Sequence, residues 1–202
     1  MQIKSIAVGH YETNCYIVSD ENTKECAVID PGDESNTILD YIEDLGLTCR
    51  AVMLTHGHFD HTGAAETVCE DTGAPLWMHK ADCSAERRDM LFNAPEGTKF
   101  YAEGDTVNVG GLTFKVLETP GHTKGSVTLI CGDAMFSGDT LFRGSCGRTD
   151  LPGGNTAEIM KSLRRLAFLE GDYEVYPGHM QATTLDRERK FNYYLVGAAR
   201  SL

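Results

Sequence analysis

Four apolar runs in this chain each end at a histidine or an aspartate, and that placement limits the possible folds more than any other feature. "RAVMLT" runs directly into "HGHFDH", while "TPGH", "FSGD" and "YPGH" close three later runs with a glycine immediately before the donor. Glycine lets the backbone approach a neighbour closely and aims the next side chain outward from a strand end. The pattern predicts four strand ends converging on one rim, bearing His56, His58, Asp60, His61, His122, Asp139 and His179.

The intervening segments say how such a rim is built. Strand-like runs "IKSIAV", "NCYIV" and "ECAVID", closed by the turn "DPGD", predict a meander. Ile38, Leu39, Ile42 and Leu45 then recur at helical spacing, with Gly46 as a C-terminal stop. "GAAETVCEDTG" predicts a second helix and "APLWMH" a strand, and a short helix is expected around "CSAERRDM". "DTVNV" and "LTFKVLETP" predict a hairpin about Gly110 and Gly111, and "SVTLIC" and "AMFSGD" continue that sheet. "NTAEIMKSLRRLAFL" predicts a helix capped by Asn155, and "TTLDRERKFNYYL" a terminal helix with a capping box at Thr183 and Asp186. Two sets of strands interleaved with helices bury most area sheet against sheet with helices outside. The expected α/β fold is a four-layer αβ/βα sandwich forming a single domain over residues 1–202.

Composition removes other classes. A formal charge of −12 over 202 residues opposes the basic footprint needed for nucleic acid, and an anionic substrate would need a local basic patch. No apolar run is long enough to span a bilayer, and "MQIKSIAVGH" lacks the pattern of a secretory signal. The seven cysteines are scattered without a CxxC pair, which fits free thiols in a reducing compartment; a cytoplasmic protein is expected. Cys146 in "GSCG" is either a small residue filling a turn or a neighbour of the chemistry.

Four donors within six positions cannot all be satisfied cheaply inside a protein without a shared positive partner, and a metal supplies one. In extended chain His56 and His58 point the same way, whereas Asp60 and His61, at the start of a helix, turn toward an adjacent point. One segment can therefore serve two ions.

Taken in chain order, HxHxDH followed by His, Asp and His resembles the metallo-β-lactamase fold superfamily, and the likeness covers nearly the whole chain. The resemblance implies a first metal on His56, His58 and His122, a second on Asp60, His61 and His179, and Asp139 bridging both. Imidazole and carboxylate ligands suit two Zn²⁺ ions first, and iron or manganese as well. Metals about 3.5 to 4 Å apart acidify a shared water, and the hydroxide attacks an acyl carbon. The resemblance implies a catalytic role for Asp60 in orienting that water and handling its proton.

"SGDTLFRGSCGRTDLPGG" resembles hydroxyacylglutathione hydrolases (glyoxalase II) and their short bacterial relatives, implying a small-molecule acyl-thioester substrate. Arg148 falls where that family has a lysine contacting the glutathione carboxylate, and Arg143 and Arg148 are candidates for the local basic patch. Two positions depart from the family: Asp150 replaces a substrate-contacting tyrosine, and one helix after His179 replaces a helical domain. "GRTD" also resembles persulfide dioxygenases of the same superfamily, which hold one iron through the equivalents of His56, His122 and Asp139. Secreted zinc β-lactamases usually carry cysteine at the position of Asp139, which disfavours antibiotic hydrolysis. A scaffold whose metals only join the two halves is a third reading, opposed by a rim that leaves room for water. His10, His79 and Trp77 are expected to be ordinary polar or packing residues, one tyrosine of "FNYYL" can line the pocket, and Asp30 either forms its turn or supports a metal ligand.

Overall fold

A computed structural model of the chain describes residues 1–86 and 90–200. The meander forms as β1 (Gln2–Val8), β2 (Thr13–Ser19) and β3 (Glu25–Ile29), antiparallel in succession. Helix α1 (Ser35–Asp44) then crosses over to β4 (Thr48–Met53), which pairs parallel to β3. A parallel neighbour requires such a crossover. Helices α2 (Phe59–Thr62) and α3 (Ala65–Thr72) lead to β5 (Leu76–His79) and β6 (Lys99–Tyr101), which extend the sheet in parallel.

The second sheet contains β7 (Thr106–Val109), β8 (Leu112–Glu118), β9 (Val127–Cys131) and β10 (Ala134–Gly138) as an antiparallel run. A small hairpin follows, β11 (Leu141–Phe142) and β12 (Ser145–Cys146). After α4 (Thr156–Ala167), β13 (Glu174–Pro177) joins β10 in parallel and β14 (Thr183–Thr184) closes the edge. Helices α5 (Leu185–Phe191) and α6 (Tyr193–Arg200) complete the described chain.

Three buried clusters correspond to the three interfaces of four layers. Along the central strands, alternate side chains serve opposite faces. Cys15 and Ile17, Cys26 and Val28, and Val52 and Leu54 pack with Ile38, Ile42 and Val68 of the first helices. Tyr16 and Val18, Ala27 and Ile29, and Ala51 and Met53 pack instead with Phe114, Val116 and Leu129 of the second sheet. Beyond that sheet, Leu117, Met135 and Val175 pack with Ile159, Leu163 and Leu166 of α4 and with Leu185 and Leu195. Strands buried on both faces are therefore apolar almost throughout, as "RAVMLT" is.

The terminal helix differs from its expectation in two ways. Its cap is Thr184, whose hydroxyl accepts from Arg187 N, while Thr183 Oγ1 donates to Glu188 Oε1 at 2.7 Å. The helix also breaks at Asn192, which adopts φ −80°, ψ 112°. The break has a structural use: the Asn192 amide donates to Phe142 O at 3.1 Å and Ser145 O at 2.9 Å, tying the C-terminal segment to the β11–β12 hairpin. The helix expected around 83–90 falls partly on residues 87–89, outside the described residues, and residues 84–86 form no regular element.

Candidate metal centre

The seven donors meet at one edge of the two sheets. β4 delivers Thr55, His56 and, still in extended backbone (φ −69°, ψ 148°), His58; α2 then presents Asp60 and His61. His122, Asp139 and His179 come from the loops after β8, β10 and β13. The glycine before His179 is needed for close approach. A Cβ on Gly178 would lie 2.3 Å from Asp139 Oδ1 and 2.6 Å from His61 Cε1.

Two groups of ligand atoms stand side by side, His56, His58 and His122 in one and Asp60, His61 and His179 in the other, the atoms of each within 4.8 Å of one another. Asp139 lies between them. Its Oδ2 is 3.4 Å from His122 Nε2 and 3.6 Å from His179 Nε2, and its Oδ1 is 3.5 Å from His61 Nε2. Asp30, His56 and His61 also come within 4.8 Å. The Asp30 carboxylate is already occupied, however, accepting from Thr55 N and Thr55 Oγ1, both at 2.7 Å, and from His61 Nδ1 at 3.0 Å. Asp30 thus supports a candidate ligand from behind, one of its two expected roles.

Hydrogen bonds behind the rings fix which nitrogen faces the centre. His61 Nδ1 donates to the Asp30 carboxylate, and His122 Nδ1 donates to Arg148 O at 2.8 Å. Since the Thr55 hydroxyl proton goes to Asp30, His56 Nδ1 donates to Thr55 Oγ1 across 3.1 Å. In neutral rings the opposite nitrogens then carry bare lone pairs toward the centre. His58 Nδ1 therefore donates to His122 Nε2 at 2.9 Å, which leaves His58 Nε2 bare, and His61 Nε2 lies 3.3 Å from His179 Nε2. His56 Nε2, His58 Nε2 and Asp139 Oδ1 are buried without a hydrogen-bond partner among the described residues. Orphaned buried acceptors are costly, and a cation among them would satisfy all three. The residues present therefore fit divalent metal ions.

Protonation follows the surroundings. Burial and the neighbouring imidazoles push His56 well below the ordinary histidine range and His58 down to about 4. Burial would lower His61 too, but the Asp139 and Asp30 carboxylates override it and raise it to about 9. His179 is raised in spite of burial by its hydrogen bond to Asp60. Burial opposes the charge on Asp60, yet His179 and His61 hold its carboxyl well below the usual range.

One supporting residue has no counterpart in the sequence reading. Asp82, fully buried in a 3-10 turn (Lys80–Asp82) after β5, accepts from Gly57 N at 2.9 Å, Thr123 Oγ1 at 2.6 Å and Gly125 N at 2.6 Å. It joins the loop carrying His56 and His58 to the loop carrying His122. Gly57 is required there, because a Cβ would stand 2.6 Å from Asp82 O. No spacing rule points to Asp82.

The centre forms the base of a cavity of about 510 Å³ lined by His58, Asp60, His122, Asp139 and His179, with Tyr11, Phe59, Met90, Phe142, Leu151 and Met180 above. Cys146 is in the wall, its thiol pushed up by burial. Arg148 also lines the cavity, but its guanidinium makes two 2.7 Å bonds to Asp150. Arg143 is not in the lining; it donates to Gln181 at 2.6 Å. Tyr193 and Tyr194 point to solvent elsewhere, and Tyr11 takes the place expected of a tyrosine from "FNYYL". His79 lies 3.2 Å from Glu118 Oε1 and His10 packs edge-on against Tyr11, both apart from the donors.

The metallo-beta-lactamase superfamily pattern matches residues 8–179. The chain belongs to that superfamily. Among its relatives, hydroxyacylglutathione hydrolase GloC of Haemophilus influenzae is 34% identical, over 96% of this chain and 98% of that protein. Solved structures of the superfamily superpose closely. BLEG-1 B3 metallo-beta-lactamase has a TM-score of 0.88 at 30% identity, over 97% of this chain and 100% of that one. ETHE1 from Myxococcus xanthus gives 0.86 at 32% identity, over 98% and 85%. TTHA1623 in a di-iron-bound form gives 0.83 at 35%, over 95% and 99%. With the donor clusters, these likenesses describe a metallo-hydrolase of the superfamily, suited to divalent metals whose identity the ligand set does not choose.

Proposed function

We propose that the chain is a thioesterase of the hydroxyacylglutathione hydrolase type, cleaving a small-molecule acyl thioester with two divalent cations, zinc first among them. The observation that carries this reading is the pair of adjacent donor triads with Asp139 between them, at the base of an open cavity. His56, His58 and His122 would hold one ion, Asp60, His61 and His179 the other, and Asp139 both. Such a pair, when bound, makes water acidic enough to supply hydroxide near neutral pH and stabilises the oxyanion of acyl transfer.

The chain's own groups complete the chemistry. Asp60 Oδ2 accepts from Thr13 Oγ1 at 3.3 Å, which fixes the carboxylate facing the cavity, and lies 3.2 Å from His179 Nε2. Kept ionised by His179 and His61, it accepts a hydrogen bond from the attacking water and orients it. Asp30 and the Arg148 carbonyl lock the His61 and His122 rings. Arg148 can exchange Asp150 for a substrate carboxylate, since the pair is exposed and weakly held. The unpaired cysteines favour a reducing, cytoplasmic setting.

A mononuclear-iron persulfide dioxygenase is the second reading, supported by the resemblance of "GRTD" to that family. Metal content of protein purified without added metal, assayed beside S-lactoylglutathione cleavage and glutathione-persulfide-dependent O₂ uptake, separates the two. Two equivalents of metal with thioester cleavage support the thioesterase. One equivalent of iron with oxygen consumption overturns it.

A further inference from the structure

Apart from Arg148, the exposed side chains that line the cavity are apolar. Tyr11, Phe59, Met90 and Met180 remain 59%, 52%, 39% and 59% exposed, yet all four line this one opening. Tyr11 and Phe59 pack edge to face at 5.4 Å, forming an aromatic wall. Phe142 stands edge-on to His179 at 6.2 Å, carrying the apolar surface down to the centre. Grouped exposed apolar side chains mark a binding surface, whereas scattered ones need no explanation.

The two methionines add an independent sign. Met90 and Met180 have φ +58° and +70°, a left-handed backbone that bulky residues rarely adopt. Strain of this kind persists where the surrounding structure holds it, and it gathers at ligand clamps. Methionine side chains are flexible and polarisable, so they fit ligands of varied length.

We propose that this site takes thioesters bearing an apolar chain of about four or more carbons, seated against Tyr11, Phe59, Met90 and Met180. The proposal rests on the thioesterase reading and specifies its substrate class. An apolar chain can enter on the acyl side of the thioester or on the thiol side, and the recognition is the same.

The test uses the zinc-loaded full chain and two substrate series. One varies the acyl group from acetyl to octanoyl on N-acetylcysteamine; the other varies an alkyl thiol over the same lengths on an acetyl group. Burying a methylene is worth up to about fourfold. The expected result is a rise in kcat/KM of about two- to fourfold per methylene in one series, over the first few. Tyr11→Ser and, separately, Met180→Ala should each lower the ratio of longest to shortest substrate by about tenfold. A flat profile in both series, with thioesters still cleaved, overturns the proposal and leaves the thioesterase reading standing. No cleavage of any thioester overturns both.

Discussion

The two donor triads touch the same aspartate and are built on opposite electrostatic terms. His56, His58 and His122 are imidazoles with no carboxylate among them, and burial drives His56 and His58 toward the neutral form. Around His61, Asp30, Asp60 and Asp139 supply negative charge, and His61 and His179 are held toward the protonated form. Identical side chains a few ångströms apart thus acquire opposite preferences from their neighbours alone. The first triad is a set of lone pairs that a cation satisfies better than a proton does, while on the second a proton can stand in for the metal.

Removing the residue shared by the two sides should have the largest effect. Asp139→Ala takes away the carboxylate between them, and thioester cleavage should fall by more than the roughly 10- to 100-fold typical of losing a supporting residue. Unchanged steady-state activity would remove the bridging role.

Asp82→Asn should act on one side only. Its amide cannot accept from all three donors, so the loops of His58 and His122 lose their clamp. Affinity for the metal on His56, His58 and His122 should fall by about 10- to 100-fold while the other ion binds as before, measured by cobalt titration. Equal weakening of both ions would show a general loss of structure instead.

A smaller contrast should appear in the pH dependence of metal-free protein. His58 titrates near 4 when folded against 6.5 ordinarily, so between those values the unfolded chain binds more protons and stability rises with pH; His56 acts in the same direction. His61 is raised from 6.5 to about 9, so its contribution is fully present below about 6.5 and is lost as pH climbs through 9. Thermal midpoints should therefore rise and then fall across this range, and His61→Gln should abolish most of the alkaline fall. His179, also raised, should leave only a residual fall, and an undiminished fall in that variant would contradict the carboxylate-balanced description of the second triad.

The least effect is expected from Arg148→Ala. The Arg148–Asp150 pair is exposed, so stability should not change measurably, while KM for a carboxylate-bearing thioester should rise a few-fold with kcat nearly constant. A loss confined to kcat would place Arg148 in the chemistry.

Much of this was legible in the chain itself. The layers follow from period-two alternation in "NCYIV" and "ECAVI" and from the helical recurrence of Ile38 and Ile42, and these residues pack in the clusters that such patterns require. The convergence of His122, Asp139 and His179 on the "HGHFDH" segment was legible because each strand ends at a glycine and a donor. Asp82 was not, since its partners lie 25 to 43 residues away and nothing local marks it. Lys99–Tyr101 and Thr183–Thr184 are too short to display a period. The break at Asn192 depends on carbonyls some 50 residues earlier in the β11–β12 hairpin, beyond the reach of helix propensity. Arg143 is bonded to Gln181, 38 residues away, a partner that nothing local in the chain marks.

Anomalous diffraction from zinc-loaded crystals addresses the central claim most directly. Two peaks about 3.5 to 4 Å apart are expected, one against His56, His58 and His122, the other against Asp60, His61 and His179, with Asp139 reaching both. A single peak, or a second ion away from Asp139, would contradict the account.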